Sequence, residues 1–489
     1  MKLIYINNHF VHKTEETVRL FFPMEKFEFE FFENTKSFKE KSNDEKDGDV
    51  FVFEIDNNKA VVSISINGRL HVNYEYFEGS SEAEYVICSL LYKNLVKITG
   101  KEQPWGMLTG IRPVALIQNC FDNNPMYTFN EANFIMDETY NEASGILREK
   151  YYVSREKFGL ALSVAKAQAA IIEKAKGISI YISIPFCPSR CDYCSFISSS
   201  IDNAFKLIPE YVDLLCRELD FASERYKGKI DTVYIGGGTP TTLSPEQLDK
   251  LLKSVRKFNI TKATEFTVEC GRPDTITKEK LDVLKNYYVN RISINPQTFN
   301  QEALDAIGRK HTVGDIYKAY ELAKDKFIIN MDLIAGLPTD TAESFEHSID
   351  ECLKLQPDNI TIHTLCLKRG AKMYSEQLPK VYEDMLCISN KKLYWGNYVR
   401  AYDPYYLYRQ KNALGNLENV GYARDGQFCR YNIYTMSECQ TVIAFGAGAI
   451  TKIVNGTKID RSANYKYPFE YIDNFNTVIE RKLFCFEHL

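Results

Sequence analysis

Three cysteines crowd into the run Tyr181–Phe196, YISIPFCPSRCDYCSF, as Cys187, Cys191 and Cys194. A C-x3-C-x2-C spacing lets three thiolates from one loop converge on a single metal centre. A structural zinc site needs a fourth ligand, and His311 and His363 lie more than a hundred residues downstream. A redox pair made from Cys191 and Cys194 leaves Cys187 without a task. A four-iron, four-sulfur cluster meets the count: three irons take thiolates, and the fourth stays open to chelate a small ligand and pass it an electron. The remaining ten of the thirteen cysteines are scattered and read as buried thiols.

The elements that must position this loop are legible as an alternation. Short β-rich runs at Ile178–Ile184, Thr232–Ile235, Glu265–Glu269, Arg291–Ile294, Phe327–Leu333 and Asn359–His363 are separated by helical stretches at Phe205–Arg225, Pro245–Lys257, Lys278–Asn286, Gly314–Lys324 and Ala342–Leu355. Six strand-helix units predict an α/β fold with a parallel sheet, two units short of a complete barrel, and place the chemistry at the carboxyl ends of the strands. The cysteine loop follows the first of them. Gly236, Gly237 and Gly238, then Thr239 and Pro240, close the second; glycine there lets backbone approach a ligand without a Cβ in the way.

Around this core the chain divides into an amino-terminal α+β domain over 1–170, the partial (β/α)6 barrel over 175–368, and a carboxyl-terminal α+β extension over 369–489 that covers the barrel mouth. The first alternates apolar and polar residues at Asp49–Ile55 and Ala60–Ile66, with the charged stretch Lys36–Asp49 read as a loop. Its Trp105–Pro113 segment, WGMLTGIRP, offers Arg112 either to an anion or to a surface carboxylate.

Composition narrows the class. With 489 residues, 45% hydrophobic and 26% charged, the chain has globular proportions. No apolar run reaches the ~18 residues of a membrane span, and the opening MKLIYINNHFVHK is too polar for a signal-peptide core, so a cytoplasmic, reducing location is expected. Sixty Lys and Arg against 65 Asp and Glu, a net charge of −5, do not suggest a nucleic-acid partner.

The cysteine loop after the first strand of a partial barrel resembles the radical S-adenosylmethionine (SAM) superfamily. More narrowly, Tyr181 to about Lys452 resembles the oxygen-independent coproporphyrinogen III oxidases, and the amino-terminal domain with YRQKNALGNLENVGYA from Tyr408 is similar to their coproporphyrinogen dehydrogenase, or HemZ-like, branch. The resemblance implies that Cys187, Cys191 and Cys194 hold a 4Fe-4S cluster and that SAM binds its open iron. It also implies that Gly237, Gly238 and Thr239 form the SAM-binding turn, that Tyr181 and Tyr193 line the site, and that Glu269 accepts hydrogen bonds from SAM. Gln297, Arg309 and Asp332 correspond to a second SAM position, where a guanidinium suits a carboxylate and a strand-end carboxylate suits ribose hydroxyls. Cys366 corresponds to a backbone contact and Ile450 to an adenine-side contact. The bland alternatives are surface ion pairs, helix caps and core packing.

The implied reaction is oxidative decarboxylation of coproporphyrinogen III to protoporphyrinogen IX, with an electron donor and an acceptor that the sequence does not name. Four propionates on the substrate make Arg190, Arg409 and Lys411 its candidate cationic partners. Phe196 stands where the best-known branch has a fourth cysteine, an ending shared with the haem-chaperone branch, and Asn295 and Pro296 replace smaller or apolar residues before Gln297. A haem chaperone is therefore the second reading, and radical chemistry on haem itself the third.

Overall fold

The structure is a computed structural model that describes all residues except 24, 42–47, 111, 123–136, 195–198, 201–204, 263, 367–381, 394–401, 411–412, 425 and 457. Two compact units make it up, Met1–Ala161 with Gly415–Leu417, and Leu162–Leu414 with Glu418–Leu489.

The first unit is built on a five-stranded sheet of β1 (Lys2–Ile6), β2 (Glu28–Phe32), β3 (Val50–Asp56), β4 (Lys59–Ile66) and β5 (Arg69–Tyr76), ordered β2-β1-β3-β4-β5. Asn57, Asn67 and Gly68 take positive φ, which closes the β3-β4 and β4-β5 hairpins with tight turns. Strict alternation along β4 buries Ala60, Val62, Ile64 and Ile66 in one core with Val86, Ile87, Leu90 and Leu91 of the helix Ser80–Thr99. The stretch read as a charged loop instead starts as a helix, Thr35–Lys41, because the Asn34 side chain accepts from the Ser37 N–H at 2.9 Å and nucleates the first turn.

The second unit carries the expected partial (β/α)6 barrel. Its strands β6 (Ile178–Ile184), β9 (Ile230–Gly237), β10 (Glu265–Glu269), β11 (Arg291–Ser293), β12 (Ile328–Ala335) and β13 (Asn359–Thr364) run parallel, each beside the next. Between β6 and β9 the cysteine loop adds a two-stranded pair, β7 (Phe186–Cys187) with β8 (Ser199–Ser200). The crossover helices start on Ser244, Thr277, Thr312 and Thr341, whose side chains each accept from the third backbone N–H beyond them.

The carboxyl-terminal segment extends the barrel's own sheet at both edges. Strand β15 (Glu418–Ala423) adds antiparallel to β13 and β14 (Asp403–Arg409) antiparallel to β15, while β16 (Val442–Phe445) lies parallel to β6, followed by β17 (Ile450–Asn455) and β18 (Lys458–Ala463). An open barrel leaves backbone donors and acceptors of β6 and β13 unpaired, and these strands supply their partners. Among the described residues no helix is long and apolar enough to cross a membrane.

Candidate functional site

The barrel strands are buried almost throughout, and the partly exposed positions within them mark its hollow. Apart from the strand-end residues Gly237, Ile328 and Asp403, they are Tyr181 on β6, Tyr234 on β9, Glu269 on β10, Asp332 on β12, His363 on β13 and, on the neighbouring β14, Tyr408. Register shows how they gather. Tyr181 pairs with Tyr234, Tyr234 with Thr267, Glu269 with Ser293, Ser293 with Asn330, and Asp332 with Thr361. The inward position thus climbs by one pleat at intervals around the sheet, as the stagger of tilted barrel strands requires.

Glu269 ends β10 inside this ring. It accepts the Tyr234 hydroxyl at 2.5 Å, and burial pushes its carboxyl up to about 7 despite the hydrogen bonds from Tyr234 and the Gly237 N–H. Tyr234 in turn stacks on Tyr431 at 4.3 Å between ring centroids, and Tyr181 stacks beside both, making an aromatic floor. The glycine turn meets the carboxyl and the cysteine loop together. A Cβ on Gly236 would lie 2.8 Å from Glu269 Oε2, and one on Gly238 would lie 2.5 Å from the Phe186 carbonyl. Gly238 N donates to Ile184 O and Thr239 N to Phe186 O, each at 2.8 Å, and Thr239 Oγ1 is 3.5 Å from Cys187 Sγ.

Cys187, Cys191 and Cys194 share the loop beyond β6, closed locally by Cys194 N donating to Cys191 O at 3.0 Å. Among the described residues no three His, Cys, Asp or Glu side chains are grouped closely enough to hold a metal ion. The donor set and its surroundings fit an iron-sulfur cluster. Three thiols stand on one loop, Cys187 at the end of β7 and Cys191 and Cys194 on the turn beyond it, and Cys191 has two buried guanidiniums beside it. Arg272 reaches its sulfur at 3.8 Å, and Arg309 lies within its electrostatic influence. Burial opposes the charge of Arg309, yet the Tyr193 hydroxyl and the Cys191 thiol hold it above the ordinary range. Its donors meet Gly271 O at 3.1 Å, Asn295 O at 3.0 Å and Tyr193 Oη at 3.3 Å. His311 is buried behind them, and burial with the two neighbouring guanidiniums pushes it down to about 4, so it is neutral.

Gln297 takes φ +68° just past β11, donating its N–H to Asp332 O and accepting from Ile334 N, both at 2.9 Å, which fixes it against β12. Its side-chain oxygen and that of Asn295 are buried with no hydrogen-bond partner among the described residues. Asp332 Oδ2 is 3.6 Å from His363 Nε2, and His363 Nδ1 is 3.3 Å from the Tyr408 hydroxyl. Cys366 sits beyond β13, bridged to Ala413 and within electrostatic reach of Tyr408. Ile450 opens β17, about half exposed, on the other side of β6 from the strands that carry Glu269 and Asp332. Arg409 is buried opposite Glu418, and that burial pulls its guanidinium down to about 10; Arg190 is exposed. Lys411 and Phe196 lie outside the described residues.

Tyr234, Arg272, His363, Tyr408 and Tyr431 were not legible as site residues in the sequence. A two-residue periodicity carried inward from Tyr181 and Glu269 would have flagged Tyr234. Arg272 had no signal, because its role depends on a turn meeting a loop eighty residues away.

Residues 181–352 match the family described as the Radical SAM superfamily. The oxygen-independent coproporphyrinogen-III oxidase-like protein HemZ of Bacillus subtilis is 38% identical over 425 residues, 82% of this chain and 81% of that protein. The heme chaperone HemW of the same organism is 31% identical over 303 residues, 60% of this chain and 75% of that protein. Among solved structures, coproporphyrinogen III oxidase HemN from Escherichia coli, a radical SAM enzyme, superposes with a TM-score of 0.52 at 23% identity, over 64% of this chain and 73% of that one. That likeness concerns the fold.

Proposed function

The chain belongs to the radical SAM superfamily and, within it, to the HemZ-like family of oxygen-independent coproporphyrinogen-III oxidase-like proteins, and from that membership we propose that it oxidatively decarboxylates coproporphyrinogen III to protoporphyrinogen IX. A 4Fe-4S cluster and SAM, where bound, would supply the radical chemistry that removes hydrogen from a propionate side chain. Cys187, Cys191 and Cys194 would hold the cluster. The Gly236–Thr239 turn would offer backbone to the amino-acid end of SAM without side chains in the way, and Glu269 would accept from a cationic donor. Tyr181, Tyr234 and Tyr431 wall off the floor, keeping water and stray C–H bonds from a reactive alkyl radical. Each decarboxylation releases carbon dioxide and one electron, so the reaction draws on an electron donor and an acceptor outside this chain.

The observation that carries the reading is the ring of partly exposed Tyr181, Tyr234, Glu269, Asp332 and His363, set inside buried strands whose ends bear the cysteine loop and the glycine turn. Anaerobic incubation of the reconstituted chain with coproporphyrinogen III, SAM and a reductant, followed by mass spectrometry, tests it: the product should lack two carboxyl groups. The similarity to HemW favours a second reading, a haem-binding chaperone. Tight retention of haem with no decarboxylation would establish that reading instead. The same incubation with haem in place of porphyrinogen examines radical chemistry on haem.

A further inference from the structure

The turn that ends β10 holds a second charge three residues beyond Glu269. Arg272 is buried, and its guanidinium faces two ways. Toward its own turn, Nε donates to Asp274 Oδ1 at 3.2 Å and Nη2 to Oδ2 at 3.4 Å. Toward the cysteine loop, Nη1 donates to Ser189 Oγ at 3.0 Å, to Ser189 O at 3.4 Å and to Cys191 Sγ at 3.8 Å. Arg272 caps the short helix Pro273–Thr275 with extended backbone, so Pro273 fixes the direction in which the chain leaves and the side chain returns across the loop.

We infer that Arg272 is a positioning and charge-compensating residue for the cluster loop, holding Cys191 by a charge-assisted hydrogen bond and raising the reduction potential of the cluster that the three cysteines bind. The inference rests on the cluster reading and is independent of the porphyrinogen.

The physical argument is one of sign. A cluster held by three thiolates carries net negative charge, and reduction adds one more. A buried cation in contact with a ligand sulfur stabilises the reduced form more than the oxidised one, in surroundings where the interaction is weakly screened. Asp274 neutralises only part of the guanidinium, since its side chain is partly solvent-exposed while that of Arg272 is not. Arg309 lies near the same sulfur and bonds to carbonyls and a phenol, so two cationic groups face Cys191.

The test uses the full chain, purified and reconstituted anaerobically, as wild type, Arg272→Gln and Arg272→Lys, with iron and acid-labile sulfide counted and the cluster titrated against redox dyes by electron paramagnetic resonance. In Arg272→Gln the equilibrium constant for one-electron reduction should fall about tenfold, equivalent to about 59 mV toward more negative potential. Arg272→Lys, which keeps the charge and loses the fork, should recover most of that shift. An unchanged potential in loaded Arg272→Gln overturns the inference, because a purely structural tether would alter loading and leave the potential alone. If Arg272→Gln binds no iron, restoration of loading by lysine supports the role of charge, and equal loss in both variants refutes it. Absence of iron and sulfide from the wild type would sink the cluster reading itself, a separate outcome.

Discussion

Tyr234 donates its hydroxyl to Glu269 at 2.5 Å inside the barrel, joining the second strand to the third through the two groups that flank the glycine turn. Asp332 adds a further negative group that raises the Glu269 carboxyl, and His363 works weakly against it. The site is thus arranged around a carboxyl whose charge is undecided near neutral pH.

A pH dependence follows. Glu269 is ionised in the fold only above about 7, and only then attracts the sulfonium and ammonium of SAM. Equilibrium dialysis should show SAM binding strengthening as pH rises through about 7, and Glu269→Gln should flatten that slope. The stability sign is opposite. The unfolded carboxyl titrates near ~4.3, so between there and about 7 the folded state binds the additional proton and stability falls with rising pH. Denaturant midpoints across this window should be flatter for Glu269→Gln; a wild-type profile already flat in both measurements would remove Glu269 from the role.

Gly238 offers a steric test. A Cβ there would lie 2.5 Å from Phe186 O and 2.9 Å from Ile184 O, both backbone atoms of the segment leading into the cysteine loop. Backbone on both sides leaves little room to yield, so Gly238→Ala should cost about 1–3 kcal/mol in chemical denaturation and weaken SAM binding. Gly314→Ala, in the helix Val313–Ala323 where only the Thr312 side chain comes near, at 3.6 Å, is the control and should not destabilise, raising stability by up to about 1 kcal/mol and leaving SAM binding unchanged.

The barrel was legible because each of its strands is a short apolar run bounded by helix signals, and parallel strands buried on both faces require such runs. The same property hid the lumen. In ITIHT the one inward position, His363, follows from register and stagger, which depend on neighbours remote in sequence. Cys187, Cys191 and Cys194 were readable because their chemistry lies in local spacing. Arg409 was read either as a partner of substrate carboxylates or as one half of a charge pair, and its burial opposite Glu418 depends on the pairing of β14 with β15, which local sequence does not announce. Ile450 and Cys366 are placed by long-range pairing, Ile450 with Ala463 and Cys366 with Ala413.

Replacing any one of Cys187, Cys191 or Cys194 by Ala should abolish cluster loading and reductive SAM cleavage together, because two thiolates leave a second iron without its ligand. Iron and sulfide analysis with quantification of 5'-deoxyadenosine reads both. Cys216→Ala, a buried thiol on the helix Ile208–Arg225, should lose neither. A loop variant with full SAM cleavage would overturn the assignment of that cysteine.

His363 separates a SAM role from a substrate role for the far side of the ring. Its Nε2 lies 3.6 Å from Asp332 and its Nδ1 3.3 Å from the Tyr408 hydroxyl, so the imidazole links the fifth barrel strand to β14. If Asp332 takes the ribose hydroxyls, His363 fixes the direction of that carboxylate. A single weak contact of this kind is worth about 1 kcal/mol, so His363→Ala should raise the KM for SAM about fivefold while kcat at saturating SAM and the cluster spectrum stay near wild type. Tyr408→Phe, one step further from Asp332, should move the same parameter less. A rise confined to the KM for porphyrinogen would place His363 among the groups that contact the substrate's carboxylates, and Asp332→Asn would then leave the His363→Ala effect intact. If both variants act through SAM, the double variant should cost no more than Asp332→Asn alone, because two residues serving one contact are not additive.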